Sequence, residues 1–456
     1  MLVHLSTMNE KVNPPKRFDV IVAGAGAGGV CAALAAARTG ARTLLLEKAV
    51  EIGGTGVHSP VSLICKFHGR DHRPINLGIH RELFPHAYLH STWDFRASAP
   101  RLTYDEKDLA AAYRRLLAAE PNLTVRTGCG AASVRREGRL LHSVQCDDGS
   151  DFAAAAFVDA TANGNLSALA DCRASVGRDS DGALQSATLV FAMSGIDKSR
   201  LRVAEFSTRG GLHSLWRELT SLYKEAKARG ETQNPKGSVV CFPYPDGERL
   251  LFNANEVVGV NPMEAGAEEA AIKKGRIFVD DLVAIVRRHP AFAYATVEFI
   301  ATKMGIREGR RILGDYTLTQ DDCLGEARFE DMVAACAYEI DIHDPDGGAT
   351  RMVDIPGSGY YHIPYRSLVA ADADNLFLGS RCISGTHEAH SSYRVISGVS
   401  AIGQAAGTAA ALAARCAAGQ ARAIKPAWIR HVLREQVQFV EGTVEPPPGW
   451  QGPEMS

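Results

Sequence analysis

The stretch from Phe18 to Glu47 constrains the fold more than any other part of the chain. Phe18-Asp19-Val20-Ile21-Val22 is a short apolar run of strand composition, and it leads through Ala23 into Gly24-Ala25-Gly26-Ala27-Gly28-Gly29. An alanine-rich segment comes next, and the pattern predicts a helix over Val30 to Arg38 and a second strand over Arg42 to Leu46. Strand, glycine loop and helix in that order make a dinucleotide-binding βαβ unit. Gly24 permits the tight turn, Gly26 lets the backbone approach a pyrophosphate, and Gly29 lets helix and strand pack closely. Glu47 lies about 20 residues beyond the loop, where a carboxylate can accept hydrogen bonds from ribose hydroxyls.

The remainder of the chain must supply the rest of the fold, and 456 residues are enough for two or three units with buried cores. A net charge of −2 with no long block of one sign offers no electrostatic reason to bind nucleic acid. No run approaches the roughly 20 uninterrupted apolar residues of a membrane span, so no membrane partner is expected. Ten cysteines occur without CxxC or zinc-ligand spacing, which predicts no metal centre and reduced thiols in a cytoplasmic protein. Residues 1–16 read as a flexible leader without a secretory apolar run, and the proline-containing residues 444–456 as a disordered or surface-hugging tail.

The residues after Glu47 point to the ligand. Glu47-Lys48, then Gly53-Gly54-Thr55, resembles the flavoproteins whose FAD-binding domain is of the glutathione reductase type. Four later segments extend the resemblance to FAD-dependent oxidoreductases related to fumarate reductase and succinate dehydrogenase flavoproteins. They are Phe157 to Asn165, similar to a "DATGDGD" stretch; Gly305 to Tyr316, similar to "G-(V/I)-R-E-x-R-R"; Ile363 to Leu368; and Asn375 to Gly407. The last contains Gly379-Ser380-Arg381, Thr386-His387-Glu388-Ala389, Arg394 and Gly403-Gln404. The resemblance implies non-covalent FAD contacted by Gly24, Gly26, Gly28, Gly29, Glu47, Lys48, Gly53, Gly54, Thr55, Ala131, Ala162, Gly379, Arg381, Gly403 and Gln404, with Ala131 meeting adenine through its backbone. His58 lies near where related flavoproteins carry a covalent histidyl link, but its spacing matches poorly. Ala162 stands where the related stretch has glycine, and ordinary backbone angles are expected there.

These segments predict an α/β protein: a Rossmann-type FAD-binding domain assembled from residues 17–185 and 350–423, with an α+β cap, residues 186–349, inserted between them. A helix is expected in residues 424–443. No second GxGxxG after a strand is present, so the flavin is expected to exchange electrons with a small organic substrate and with an external acceptor, oxygen or a partner protein. Arg307 and Arg310 are candidates for holding an anionic group, because guanidinium forks bind carboxylates bidentately. His387, on a segment expected to be a loop facing the flavin, is the acid/base candidate, with His390 weaker. Arg394 is expected beside the flavin ring, supporting its reduced form. The sequence leaves two alternatives open: a flavin monooxygenase served by a separate reductase, and a flavoprotein electron-transfer or binding subunit.

Overall fold

The computed structural model describes residues 15–88, 103–201 and 209–451. Most of the expected leader, residues 1–14, and the last five residues of the tail lie outside these. The chain opens with β1 (Val20–Ala23), α1 (Ala27–Arg38) and β2 (Thr43–Glu47), so the glycine loop joins a strand to a helix that begins three residues earlier than the alanine pattern indicated. A short α2 (Gly54–His58), α3 (Glu106–Ala118) and β3 (Leu123–Thr127) come next. Asp105 caps α3 by accepting from the Lys107 N–H at 2.8 Å. An antiparallel hairpin of β4 (Ala131–Glu137) and β5 (Leu140–Cys146) is extended by β6 (Asp151–Ala153), and the chain returns to the first layer as β7 (Ala156–Asp159).

Residues 187–304 form a second hydrophobic core. Its sheet is antiparallel and contains β8 (Phe191–Ser194), β9 (Cys241–Pro243), β10 (Leu250–Phe252) and β11 (Thr296–Ile300), in the order β9-β10-β8-β11. Helices α4 (Arg209–Ala228) and α5 (Ala267–Val286) supply side chains such as Leu219, Tyr223, Phe278 and Leu282 to that core. The chain enters and leaves this unit side by side: Thr188 and Gly305 exchange backbone hydrogen bonds of 3.3 and 2.8 Å. Ile312, Met332 to Ala337 and Ile340 pack instead in the first core, so the second core closes well before residue 349. Pro345 to Gly348 make the turn between the strands Ile340–His343 and Thr350–Val353.

The first layer is completed by β12 (Leu376–Leu378), giving a five-stranded parallel sheet of order β12-β7-β1-β2-β3. Val20, Ile21 and Val22 are wholly buried, as expected for a parallel strand covered on both faces. Helices α6 (His387–Tyr393), α7 (Ile396–Cys416) and α8 (Pro426–Glu435) end the described fold. Helix α7 is long and apolar enough on average to cross a membrane, although Ser, Gly, Gln and Thr interrupt its apolar run, and 94% of that apolar window is buried inside the protein. It is the core helix: a side chain at Gly403 or Gly407 would overlap the carbonyl of Gly28 or Ala32 on α1. Residues 444–451 run along the surface, where the Trp450 indole N–H donates to Glu435 at 2.9 Å.

Candidate active site

The glycine loop is built for close approach of another group. Gly24 has φ +96°, and its N–H donates to Leu46 O at 2.7 Å, folding the loop back over the sheet edge. Gly26 is the N-cap of α1 and offers no side chain to the first-turn amides, so those N–H groups point out of the helix with its positive dipole end behind them. A Cβ on Gly54 (φ +54°) would lie 2.8 Å from the Gly26 Cα, so the two glycine turns meet backbone to backbone. The Gly53 N–H donates to Ala25 O at 2.9 Å, tying them together. Thr55, on α2, and Lys48 are exposed beside these turns. Glu47 braces the loop itself: its Oε2 accepts from Ala25 N–H at 2.6 Å and its Oε1 from Ala49 N–H at 2.9 Å. Ala131 opens β4 opposite Cys146.

The turn after β7 departs from expectation. Ala162 has φ +64°, the left-handed conformation of the glycine it stands in for, and its N–H donates to the Ser380 hydroxyl at 3.2 Å. The turn is forced by Asp159, wholly buried, whose carboxylate accepts from Thr161 N–H, Thr161 Oγ1, Ser167 N–H and Ser167 Oγ at 2.6–3.0 Å. Gly379 comes directly after β12, with its carbonyl where a Gly28 side chain would be. Two of the expected cofactor residues are engaged otherwise. Gly403 faces α1, and the Gln404 amide accepts from Ile79 N–H (3.2 Å) and Gln438 Nε2 (3.0 Å) while donating to Gln436 (3.1 Å). Their spacing in α7 turns them toward helix packing.

A cluster of buried and half-buried charged groups forms where the two cores meet. Arg307 is buried and donates to the Ser186 carbonyl and, at 3.5 Å, to Asn253 Oδ1. Burial, then the charge of Arg394, pulls its pKa down to about 10. Arg381 donates to Asn163 Oδ1 at 2.8 Å and is likewise drawn down to about 10 by burial and Arg394. Neither has a carboxylate partner among the described residues. Arg394 does: it donates to Asp341 Oδ2 at 3.1 Å. Burial alone would raise the Asp341 carboxyl, but His343, Arg394 and Arg307 together hold it well below the usual range. His343 lies between Asp341 (3.6 Å) and Glu256 (3.4 Å), and Glu256 pairs with Lys236 at 3.1 Å, carrying the network into the second core. Arg310 points elsewhere, to Asn163 O and Asn165 Oδ1, both at 3.2 Å. On its short strand, successive residues face opposite sides, which separates it from Arg311 and takes it out of this cluster.

His387 is not on a loop. It is the first residue of α6, whose N-cap is Thr386, accepting from Ala389 N–H at 3.3 Å. Its Nδ1 lies 2.9 Å from Glu308 Oε1. Glu308 is buried, holds the Arg311 guanidinium through the same oxygen, and accepts from Gln185 N–H at 3.1 Å through the other. Arg311 is further bound to Gly385 O (2.9 Å) and Gly177 O (2.7 Å), so the whole group is rigid. Glu308 and Asp341 were not singled out by sequence reasoning; for Glu308 the signal was its place inside the Arg-Glu-x-Arg-Arg segment. His390 is wholly buried with neither ring nitrogen hydrogen-bonded, and burial followed by the charges of Arg311, Arg381 and Arg394 drives its pKa well below 6.5.

Buried polar atoms without partners among the described residues lie around this junction: Ser59 Oγ, Gln185 Nε2, Ser186 Oγ, Arg381 Nε, Arg394 Nε and both His390 nitrogens. Buried donors and acceptors are almost always satisfied, so these are groups that a ligand or ordered water can pair. Together with the open glycine turns they suit a long dinucleotide that runs from the β1–α1 loop toward the junction.

A parallel Rossmann-like sheet with an inserted domain and this cradle defines a dinucleotide-dependent redox enzyme. Residues 19–433 match the family model of the FAD dependent oxidoreductases, and the chain belongs to that family; it is an FAD-dependent oxidoreductase. Among solved structures it is similar to a geranylgeranyl bacteriochlorophyll reductase-like protein from Thermoplasma acidophilum (13% identity, 93% of this chain and 84% of that one, TM-score 0.43). It is also similar to the myxobacterial chondrochloren halogenase CndH (16% identity, 92% and 78%, TM-score 0.39) and to Aquifex aeolicus GidA (13% identity, 94% and 69%, TM-score 0.43).

Proposed function

We propose that the chain is a dehydrogenase or oxidase acting on a small anionic organic substrate held at the junction of the two cores, and that it stands nearer to fumarate reductase-type flavoproteins than to other FAD enzymes. The observation that carries this reading is the pair of buried Arg307 and half-buried Arg381, in one cluster without a carboxylate for either among the described residues. A buried guanidinium without a counter-charge is costly, and an anionic ligand removes the cost. Bound FAD supplies hydride exchange. Arg307 would orient the substrate's anionic group, and His387 would take or give the proton at Nε2, with Nδ1 directed at Glu308.

In this reading the second core, residues 187–304 of the insertion expected at 186–349, serves as the cap, and FAD is held without a covalent bond by the Gly24 to Gly29 loop, the Gly53-Gly54 turn and the 159–165 turn. Oxygen or a partner protein takes the electrons, and the unbridged state of all ten cysteines suits a cytoplasmic setting. The test is anaerobic screening of carboxylates and their neutral esters for bleaching of the oxidised flavin, with air then readmitted. Bleaching by acids but not by esters supports the reading; bleaching only by uncharged compounds overturns it.

A further inference from the structure

Nineteen residues of chain, from Cys129 to Asp147, form a hairpin whose two ends meet beside Glu47. The Cys129 N–H donates to Glu47 O at 2.9 Å, the Asp147 N–H to Gly130 O at 2.9 Å, and the Gly130 N–H to Asp147 Oδ1 at 3.0 Å. That closure places two thiols and a carboxylate in one spot. Cys129 Sγ, Cys146 Sγ and an Asp148 oxygen all lie within 4.8 Å of one another. Both thiols are buried, while the Asp148 side chain reaches the surface and opens a path to them.

We infer that Cys129, Cys146 and Asp148 form a binding site for a thiophilic divalent cation of the Zn2+ class. Zinc–thiolate bonds of about 2.3 Å separate two sulfurs on a tetrahedral ion by ~3.8 Å, so the three groups need to close by no more than about 1 Å. The ligand set is two soft sulfurs and one hard oxygen, with the fourth position open to water or to the Ser150 hydroxyl, 3.7 Å from Cys129 Sγ. Asp148 is already placed: it accepts from the Ser150 N–H at 2.9 Å and pairs with Arg126 at 2.9 Å.

The charges close. Binding displaces one proton from each thiol, with no electron transferred. Two thiolates, one carboxylate and a divalent ion leave a single negative charge, and Arg126 offsets it. With the ion, the turn from Gly128 to Ala131 is pinned to the hairpin, and with it the backbone on which Glu47 and Lys48 lean. Sequence spacing concealed the site because the two cysteines are joined only by the fold of an intervening hairpin.

The test uses full-length holoprotein carrying Cys416→Ser, which removes an exposed thiol, purified under reductant. Cd2+ is titrated while the thiolate-to-metal charge-transfer band is monitored in the ultraviolet, with Zn2+ as competitor. Expected are one band-forming ion per chain, loss of the band in Cys129→Ser and Cys146→Ser, and weakening in Asp148→Asn. Release of two protons also predicts affinity rising about 100-fold per pH unit. In the unmutated chain, Zn2+ should slow alkylation of Cys129 and Cys146 specifically, a readout that survives any failure of the serine variants to fold. No band, a band retained without both cysteines, a one-proton slope, or a Cys129–Cys146 disulfide in the reductant-purified protein overturns the site.

Discussion

His387 Nδ1 and Glu308 Oε1 lie 2.9 Å apart, and that carboxylate oxygen also holds Arg311, so the imidazole is oriented by a group that is itself immobilised. In the proposed reading this geometry leaves Nε2 to exchange the proton. His387→Ala should retain FAD and lower kcat by about 10²–10⁴-fold with a small change in KM, measured under saturating substrate. Unimpaired flavin reduction in that variant would remove His387 from the proton step.

Glu308→Gln tests the support beneath His387 through its effect on stability. It leaves the Arg311 charge buried without its partner, and such breaks cost about 3–5 kcal/mol, read as a fall in melting temperature. Arg307→Met should behave in the opposite way. It removes a buried charge that lacks a carboxylate partner among the described residues, so stability should hold or rise while KM for an anionic substrate rises about 10–100-fold.

Ala162→Gly should stabilise the protein by about 1 kcal/mol, because φ +64° places an alanine Cβ in the left-handed region that glycine occupies without strain. Thermal melts of the FAD-bound protein check this. Gly403→Val should fail to assemble, since its side chain would overlap the Gly28 backbone; the measure is FAD content after purification.

The Lys236–Glu256–His343 network predicts loss of stability in acid. Burial would raise the Glu256 carboxyl, but His343 and Lys236 hold it at about 2 against an ordinary 4.5. Its contribution is therefore present above about 4.5 and lost as pH falls toward 2. His343, lowered by burial and then by Arg307, acts in the same direction: below 6.5 the unfolded chain takes up a proton that the folded one resists. Melting temperature should fall from pH 6.5 downward, and His343→Gln should flatten the upper part of that fall.

Much of the first layer was legible because its signals are local. The glycine loop, the strand leading into it and the strand that ends at Glu47 all lie close to their predicted places. Helix α6 was missed: seven residues give too short a pattern to show a helical period, and its start depends on the Thr386 cap. Ala162 was misjudged because residue type alone predicts ordinary angles, whereas four hydrogen bonds to Asp159 impose the turn. Gln404 was read as a flavin contact, and only the packing of residues near 79 and 436–438 against α7 shows where its amide goes.

The phosphate loop was determined by the sequence itself, since the steric freedom of glycine and the alternation of strand and helix act over a few residues. Tertiary structure alone brought Arg307, Arg381 and Arg394 into one cluster and set Glu308 against His387, 79 positions away. Charge pairing and burial act through space, and no local pattern records which distant groups will share a low-dielectric site.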